Sequence, residues 1–195
     1  MPLLLVISGF APGCGTVRQL PSGGVRRAVA HPAYRIGEAA TSDNVRHDVA
    51  LIELDKPIAS GIASSFRVDH LSGNSQEVSV VSYAQGRDEA LSRQARCQVV
   101  GRYSDLFAFD CGVTFGASGA PVFARVGGRS RIVSLISSGN AELAYGIELP
   151  ELVDDMKRAL RAGRGVLLAK GVSRPALTLG RPAKAPAPGA KFVRP

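Results

Sequence analysis

The sequence lacks features that would place it in several other classes of protein. No run of roughly 18 or more apolar residues occurs, and a transmembrane helix needs a stretch of about that length. We therefore expect no membrane span. Long amphipathic helical runs are scarce, whereas glycine (22) and proline (12) are plentiful. This balance favours an all-β domain with many turns.

Cysteines are few, and they form neither a CxxC pair nor a cluster with histidine; the three are Cys14, Cys97 and Cys111. No metal site and no cofactor are therefore predicted. Cys97 and Cys111 flank a predicted hairpin centred near Ser104, where they would face each other on neighbouring strands. We predict a disulfide between them, with two buried free thiols as the alternative. A disulfide implies a secreted or periplasmic protein, because the reducing cytosol does not preserve it.

Acidic residues are absent from residues 161–195, which hold eight lysines and arginines. Residues 1–160 carry sixteen basic and sixteen acidic side chains, so the net charge of +8 belongs to the C-terminal segment. Nucleic-acid binding is not expected, since it calls for a basic patch on the folded domain. A segment rich in Gly, Ala, Pro, Lys and Arg buries too little apolar surface to fold. We predict a disordered basic tail over residues 161–195.

The N-terminal residues 1–14 contain a short apolar run without a positively charged start. This favours a strand of the domain over a signal peptide.

Turn residues divide the rest of the chain into short apolar runs that predict strands. The predicted strands are residues 25–30, 49–54, 78–84, 97–100, 106–111, 121–126, 131–136 and 145–149. One helix is predicted over residues 150–160, because apolar side chains recur there on one face and acids precede bases.

Ser118 lies between glycines in residues 114–123 (TFGASGAPVF), just before an apolar strand. Small neighbours let a substrate carbonyl approach the hydroxyl, and the N–H groups of Gly116 and Ser118 can form an oxyanion site. The alternative is a glycine-rich turn whose serine only shapes the turn.

Asp48 begins residues 48–54 (DVALIEL), so its carboxylate lies at the mouth of an apolar strand. In that position it can be partly buried and can orient an imidazole through a hydrogen bond. The alternative is an ordinary acidic residue at a strand edge.

Together with residues 30–35 (AHPAYR), these segments resemble the trypsin-like, chymotrypsin-fold serine peptidases, and most closely the bacterial glutamyl-endopeptidase-like branch. The motifs concerned are that family's "HPxY", "DIALL" and "GDSGGP" segments and its closing helix. The resemblance covers residues 25–160 and implies two β-barrels followed by a C-terminal helix. The expected domain is residues 1–160, with a partial first barrel over about 1–70 and a second barrel plus helix over about 76–160.

The family's roles make Ser118 the nucleophile and Asp48 the acid that orients the base. Gly116 and Ser118 would donate the oxyanion N–H groups. Ser137, Ser138 and Gly139 would form the strand that pairs with the substrate backbone. The implied activity is a serine endopeptidase acting on polypeptides, and the expected state is a monomer.

The catalytic base has no counterpart here, because the family's "TAAHC" segment is missing before Asp48. His31 falls in a turn that the family does not use for catalysis. His47 adjoins Asp48, but neighbouring strand residues point to opposite faces. His70 follows the aspartate strand in a polar stretch. We therefore expect a chain that is inactive or weakly active, with a non-catalytic peptide-binding module as the alternative function.

Three further departures affect activation, specificity and completeness. Ala117 replaces the acid that pairs with a freed N-terminus in zymogen-activated members. Gly112 stands where trypsins place their selective aspartate, and Asp110 comes two positions too early. Only about 24 residues precede the first predicted strand at Val25. We expect a truncated gene model or fragment rather than a stable pseudoenzyme.

Overall fold

The computed structural model describes residues 3–6, 25–35, 41–61, 64–73, 76–83, 91–114 and 116–168. Cys14, most of the N-terminal segment and residues 169–195 of the predicted tail lie outside these residues. Ten strands and two helices occur in the part described. In chain order they are β1 (Leu3–Val6), β2 (Val25–Ala30), α1 (Ser42–Val45), β3 (Ala50–Leu54), β4 (Glu77–Tyr83), β5 (Leu91–Tyr103), β6 (Leu106–Phe109), β7 (Pro121–Val126), β8 (Arg129–Gly139), β9 (Ala144–Glu148), α2 (Pro150–Ala162) and β10 (Val166–Leu168).

Six strands form a closed antiparallel barrel in the order β4-β5-β6-β9-β8-β7. Alternation along the strands supplies its core: Val78 and Val80 of β4 and Val122 and Ala124 of β7 are buried, and other residues of these strands face outward. Because side chains alternate between faces, each such strand gives one face to the interior. Phe109 of β6 is fully buried in the same cluster.

Four strands form a second, open sheet in the order β1-β3-β2-β10, again antiparallel. Helix α2 covers one face of it, with Met156 and Leu160 packed on Val29 and Leu51. Proline at the start of α2 and the left-handed Gly163 after its end give the helix defined boundaries.

The Cys97–Cys111 disulfide joins the middle of β5 to the residues just after β6, with a Cα–Cα distance of 5.4 Å. Ser104 turns the hairpin with a φ of 59°. The predicted disulfide is therefore confirmed, although Cys111 follows the end of β6 at Phe109 and the β5–β6 pairing shifts register between Val99 and Gly101. The predicted all-β class is confirmed as well, and within the described residues no helix is long and apolar enough to cross a membrane.

The predicted start of the disordered tail was wrong. Residues 161 and 162 complete α2, and Val166–Leu168 forms β10, which pairs with Arg27–Val29 of β2. The side chain of Val166 also packs against the cluster beneath α2. Backbone pairing and this contact stabilise a segment whose composition alone indicates disorder.

Candidate active site

Ser118 lies in a tight loop between residue 114 and strand β7. Gly116 and Gly119 have φ angles of 91° and 84°, which side-chain-bearing residues adopt only with strain. The N–H of Ala117 donates to Thr114 O over 3.1 Å, and the N–H of Ala120 donates to Ala117 O over 2.9 Å. These two turns fold the chain back on itself around Ser118.

The Ser118 loop is anchored to the barrel from both sides. Ala117, only 1% exposed, belongs to the barrel core. The N–H of Gly119 donates to Ile136 O over 2.8 Å, and the N–H of Ile136 donates to Ala120 O over 3.0 Å. The hydroxyl-bearing residue itself remains half-buried, so a firmly held backbone presents it at the end of strand β8.

The N–H groups of Gly116 and Ser118 are the predicted oxyanion donors. Across the described residues, no acceptor is hydrogen-bonded to either of them. Their role in an oxyanion site stays a prediction.

Asp48 lies in the turn between α1 and β3 and is 9% exposed. Its N–H donates to Val45 O over 3.1 Å, and the following N–H of Val49 donates to His47 O over 2.8 Å. Val45 packs against barrel residues, which ties the turn to the barrel. Since β3 begins at Ala50, His47 and Asp48 are turn residues, and the strand alternation used to separate their side chains does not apply to them.

Ser137 brings the two predicted catalytic side chains together. Its Oγ donates a hydrogen bond to Asp48 Oδ2 over 2.9 Å, and its carbonyl oxygen accepts one from Ser118 Oγ over 3.4 Å. A hydrogen bond to a buried carboxylate is among the stronger ones in proteins. Ser118 therefore contacts the main chain of Ser137, and Asp48 contacts its side chain. Ser118 precedes barrel strand β7, whereas Asp48 precedes β3 of the other sheet.

The strand end formed by Ser137, Ser138 and Gly139 is buried along its length. Ser138 and Gly139 pair with Tyr145 and Ala144 of β9, and the ladder shifts register between Ile136 and Ser138. Ser137 therefore lies where the pairing of β8 with β9 is irregular, and its side chain is hydrogen-bonded to Asp48. Pairing of this strand with a substrate backbone stays a prediction.

His31 and His47 stack on each other, with ring centroids 4.5 Å apart and planes inclined by 16°. Burial, and secondarily the charge of His47, lower the pKa of His31. The Ala33 N–H donates to His31 Nδ1 over 3.3 Å, which assigns the proton of the neutral ring to Nε2. His47 Nδ1 is buried and has no hydrogen-bond partner in the described part of the chain.

His70 lies elsewhere, with its two ring nitrogens each 3.4 Å from a carboxylate oxygen, one of Glu148 and one of Glu151. Arg102 also binds the Glu148 carboxylate. Among the described residues, the Ser118 hydroxyl has its hydrogen bond with Ser137 and none with an imidazole nitrogen. The three histidines thus have other neighbours than the nucleophile candidate.

The residues preceding the Ser118 loop are occupied in barrel contacts. Asp110 accepts a hydrogen bond from the N–H of Gln98 across the hairpin, and the Gly112 carbonyl accepts one from the Gln94 side chain. Within the ranges that the structure describes, no group of three or more His, Cys, Asp or Glu residues could hold a metal ion.

Comparison with known protein families and with curated proteins finds no match for this chain.

Proposed function

We propose that this chain is a serine endopeptidase of the trypsin-like type, with Ser118 as nucleophile and Asp48 as the acid that orients the base. One observation carries the proposal: Ser137 hydrogen-bonds Asp48 through its side chain and Ser118 through its carbonyl. Two residues selected from separate sequence motifs thus meet at one place. The closed barrel and C-terminal helix support the chymotrypsin-like fold as part of the same proposal.

In this scheme Ser118 Oγ attacks the scissile carbonyl carbon, and the resulting oxyanion is bound by the N–H groups of Gly116 and Ser118. In a complete triad, an imidazole oriented by the acid takes the serine proton and passes it to the leaving amine, after which water releases the acyl group. Asp48 would orient that imidazole, and this chain does not place one beside Ser118 in the described residues. The substrate is a polypeptide whose backbone extends along residues 137–139. The disulfide supports a secreted or periplasmic location, and the proposed unit is a monomer.

The missing base limits the rate of this chain. A serine hydroxyl is a weak nucleophile near neutral pH and needs a base within about 2.6–3.2 Å. Removal of the base from known triads leaves about 10³–10⁴-fold acceleration over water, which comes from the oxyanion donors and binding. We expect a similarly small residual activity here.

A peptide-binding module without catalysis is the second candidate. The observation that favours it is the Ser118 hydroxyl, which donates to the Ser137 carbonyl and has no imidazole contact in the described chain. Binding of a peptide in the same place needs neither base nor nucleophile.

Chemical rescue distinguishes the two candidates. We expect free imidazole to occupy the place of the absent base and to accelerate labelling of Ser118 by a fluorophosphonate probe. A general base contributes about 10²–10⁴-fold, so an increase of at least about tenfold is expected. Mass spectrometry of the labelled peptide identifies the modified serine.

Two variants control this experiment. Ser118→Ala should abolish labelling with and without imidazole, and Asp48→Asn should remove most of the rescue because the added imidazole loses its orienting partner. Labelling that is independent of imidazole and unchanged in Ser118→Ala would overturn the peptidase proposal and leave the binding module.

A further inference from the structure

A cavity of about 580 Å³ lies between the end of β2 and the second half of α2, and its described lining residues do not include the Ser118 loop. Its accessible apolar lining consists of Ala30, Pro32 and Ala159, whereas Val29 and Met156 lie beneath them at 1% exposure. Ligand pockets commonly measure about 300–1,000 Å³ and combine an apolar lining with a few polar groups. The cavity therefore has the size and the apolar surface to take the body of a small ligand.

The polar groups around this cavity are predominantly cationic. Arg158 and Arg164 line it, and Asp155 is the one acidic residue among its described lining residues. The guanidinium of Arg158 is paired with the Asp155 carboxylate. Their charges offset each other, which leaves Arg164 as the source of the net positive charge.

Arg164 is held at the cavity by the end of the helix. The N–H of Arg164 donates to Ala159 O over 3.0 Å, just after Gly163 in its left-handed conformation. Among the residues described, no carboxylate forms an ion pair with the Arg164 side chain. The backbone is thus fixed while the guanidinium remains available to an external anion.

We propose that this cavity binds an organic monocarboxylate whose apolar chain lies on Pro32 and Ala159 and whose carboxylate pairs with Arg164. The planar guanidinium donates two parallel N–H groups that match a carboxylate, and this pairing adds both energy and orientation. The unpaired charge of Arg164 next to an apolar surface matches a ligand that carries one negative charge on an apolar chain. The site is independent of Ser118, so the proposal does not rest on the proposed peptidase activity.

His31 also lines the cavity and reports on its occupancy. His47 stacks on this ring, and the charged residues that share the cavity with it in the described chain are Asp155, Arg158 and Arg164. Burial, and secondarily the charge of His47, lower the pKa of His31. A carboxylate bound nearby favours the imidazolium form, so the pKa of His31 should rise on binding.

The experiment titrates the full chain with octanoate and follows the histidine ring protons by nuclear magnetic resonance. We expect saturable shifts of the His31 signals and an upward shift of the His31 pKa. Octanol has the same chain without the charge, and acetate has the charge with almost no chain. Each should bind at least about tenfold more weakly than octanoate.

Arg164→Gln should weaken octanoate binding about tenfold or more and remove the rise in His31 pKa. Arg161→Gln is the matched control, because Arg161 is an exposed arginine at the end of the same helix and does not line the cavity. It should bind octanoate like the unmodified chain. Absence of saturable His31 shifts, equal binding of octanol, or equal losses in the two variants would overturn the proposal.

Discussion

The closed barrel and the open four-stranded sheet differ in how many of their strands have a neighbouring strand on both sides. The barrel pairs all six strands around the ring and adds the Cys97–Cys111 disulfide. The sheet ends at β1 and β10, and in the described chain neither has a second neighbouring strand. Among the side chains that the structure describes, its buried cluster holds Val29, Leu51, Met156 and Leu160, and the last two come from α2. The sheet therefore depends on the helix, whereas the barrel largely supports itself.

The candidate site draws on both regions. The barrel supplies Ser118 and Ser137, and the turn before sheet strand β3 supplies Asp48. The hydrogen bond between Ser137 and Asp48 therefore also connects the barrel to the open sheet, which we expect to be the less stable of the two. Loss of order in the sheet should disturb the carboxylate before it disturbs the Ser118 loop.

The largest expected effects come from truncating one core residue in each region. Phe109→Ala in the barrel should lower the free energy of unfolding by about 3–5 kcal/mol, and Leu160→Ala beneath the sheet by about 2–5 kcal/mol. Hydrogen exchange separates them: Leu160→Ala should accelerate exchange mainly in β2, β3 and β10, and Phe109→Ala throughout the barrel. Identical exchange patterns would show that the two regions unfold as one unit.

The disulfide should stabilise the barrel specifically. Its cysteines are 14 residues apart, and closing a loop of about 15 residues contributes about 3 kcal/mol in the chain-entropy description. The double variant Cys97→Ala/Cys111→Ala should lose about this much in denaturant unfolding. Reductant should lower the stability of the unmodified chain but leave the double variant unchanged; equal sensitivity of both would contradict the assignment.

The smallest expected effect concerns the contact between the regions. Ser137→Ala removes a hydrogen bond to a buried carboxylate, which should cost about 1.5–3 kcal/mol, and it should reduce the imidazole-assisted labelling of Ser118. Ser134→Ala is the matched control, because Ser134 is a buried serine of the same strand whose Oγ has no partner in the described residues. That variant should change stability and labelling little. Equal effects of the two substitutions would contradict a specific role for the hydrogen bond from Ser137 to Asp48.

Much of the barrel could be predicted from apolar alternation and turn residues. The bounds of β2 and β7 agree with the predicted residues 25–30 and 121–126. Strand β5 begins at Leu91, well before the predicted residue 97, because its first residues are mostly polar and exposed and give no apolar signal. Helix α1 has four residues, too few for a periodic pattern. Short elements such as β10 depend on tertiary pairing that local sequence does not carry.

The two motifs of the candidate site could be predicted from the sequence, but the contact that joins them through Ser137 could not. Ser118 and Asp48 each have a recognisable local setting, whereas the hydrogen bond from Ser137 to Asp48 depends on how the two sheets meet. The stacking of His31 on His47 could not be predicted. Residue 30 pairs with residue 50 in the β2–β3 ladder, so His31 extends the pairing opposite Val49. His47 lies in the turn before β3, and its position depends on how that turn folds.

The position of β10 has a consequence for synthesis on the ribosome. The sheet combines β1, β2 and β3 from the start of the chain with β10, which follows the whole barrel and α2. Chains emerge from the N-terminus and domains tend to fold as units when their residues become available. The barrel can therefore form before Met156, Leu160 and Val166, which pack against the early strands, have been synthesised. A nascent chain halted after β9 would keep Ser118 and Ser137 in place yet leave Val29 and Leu51 open to aggregation or to a chaperone.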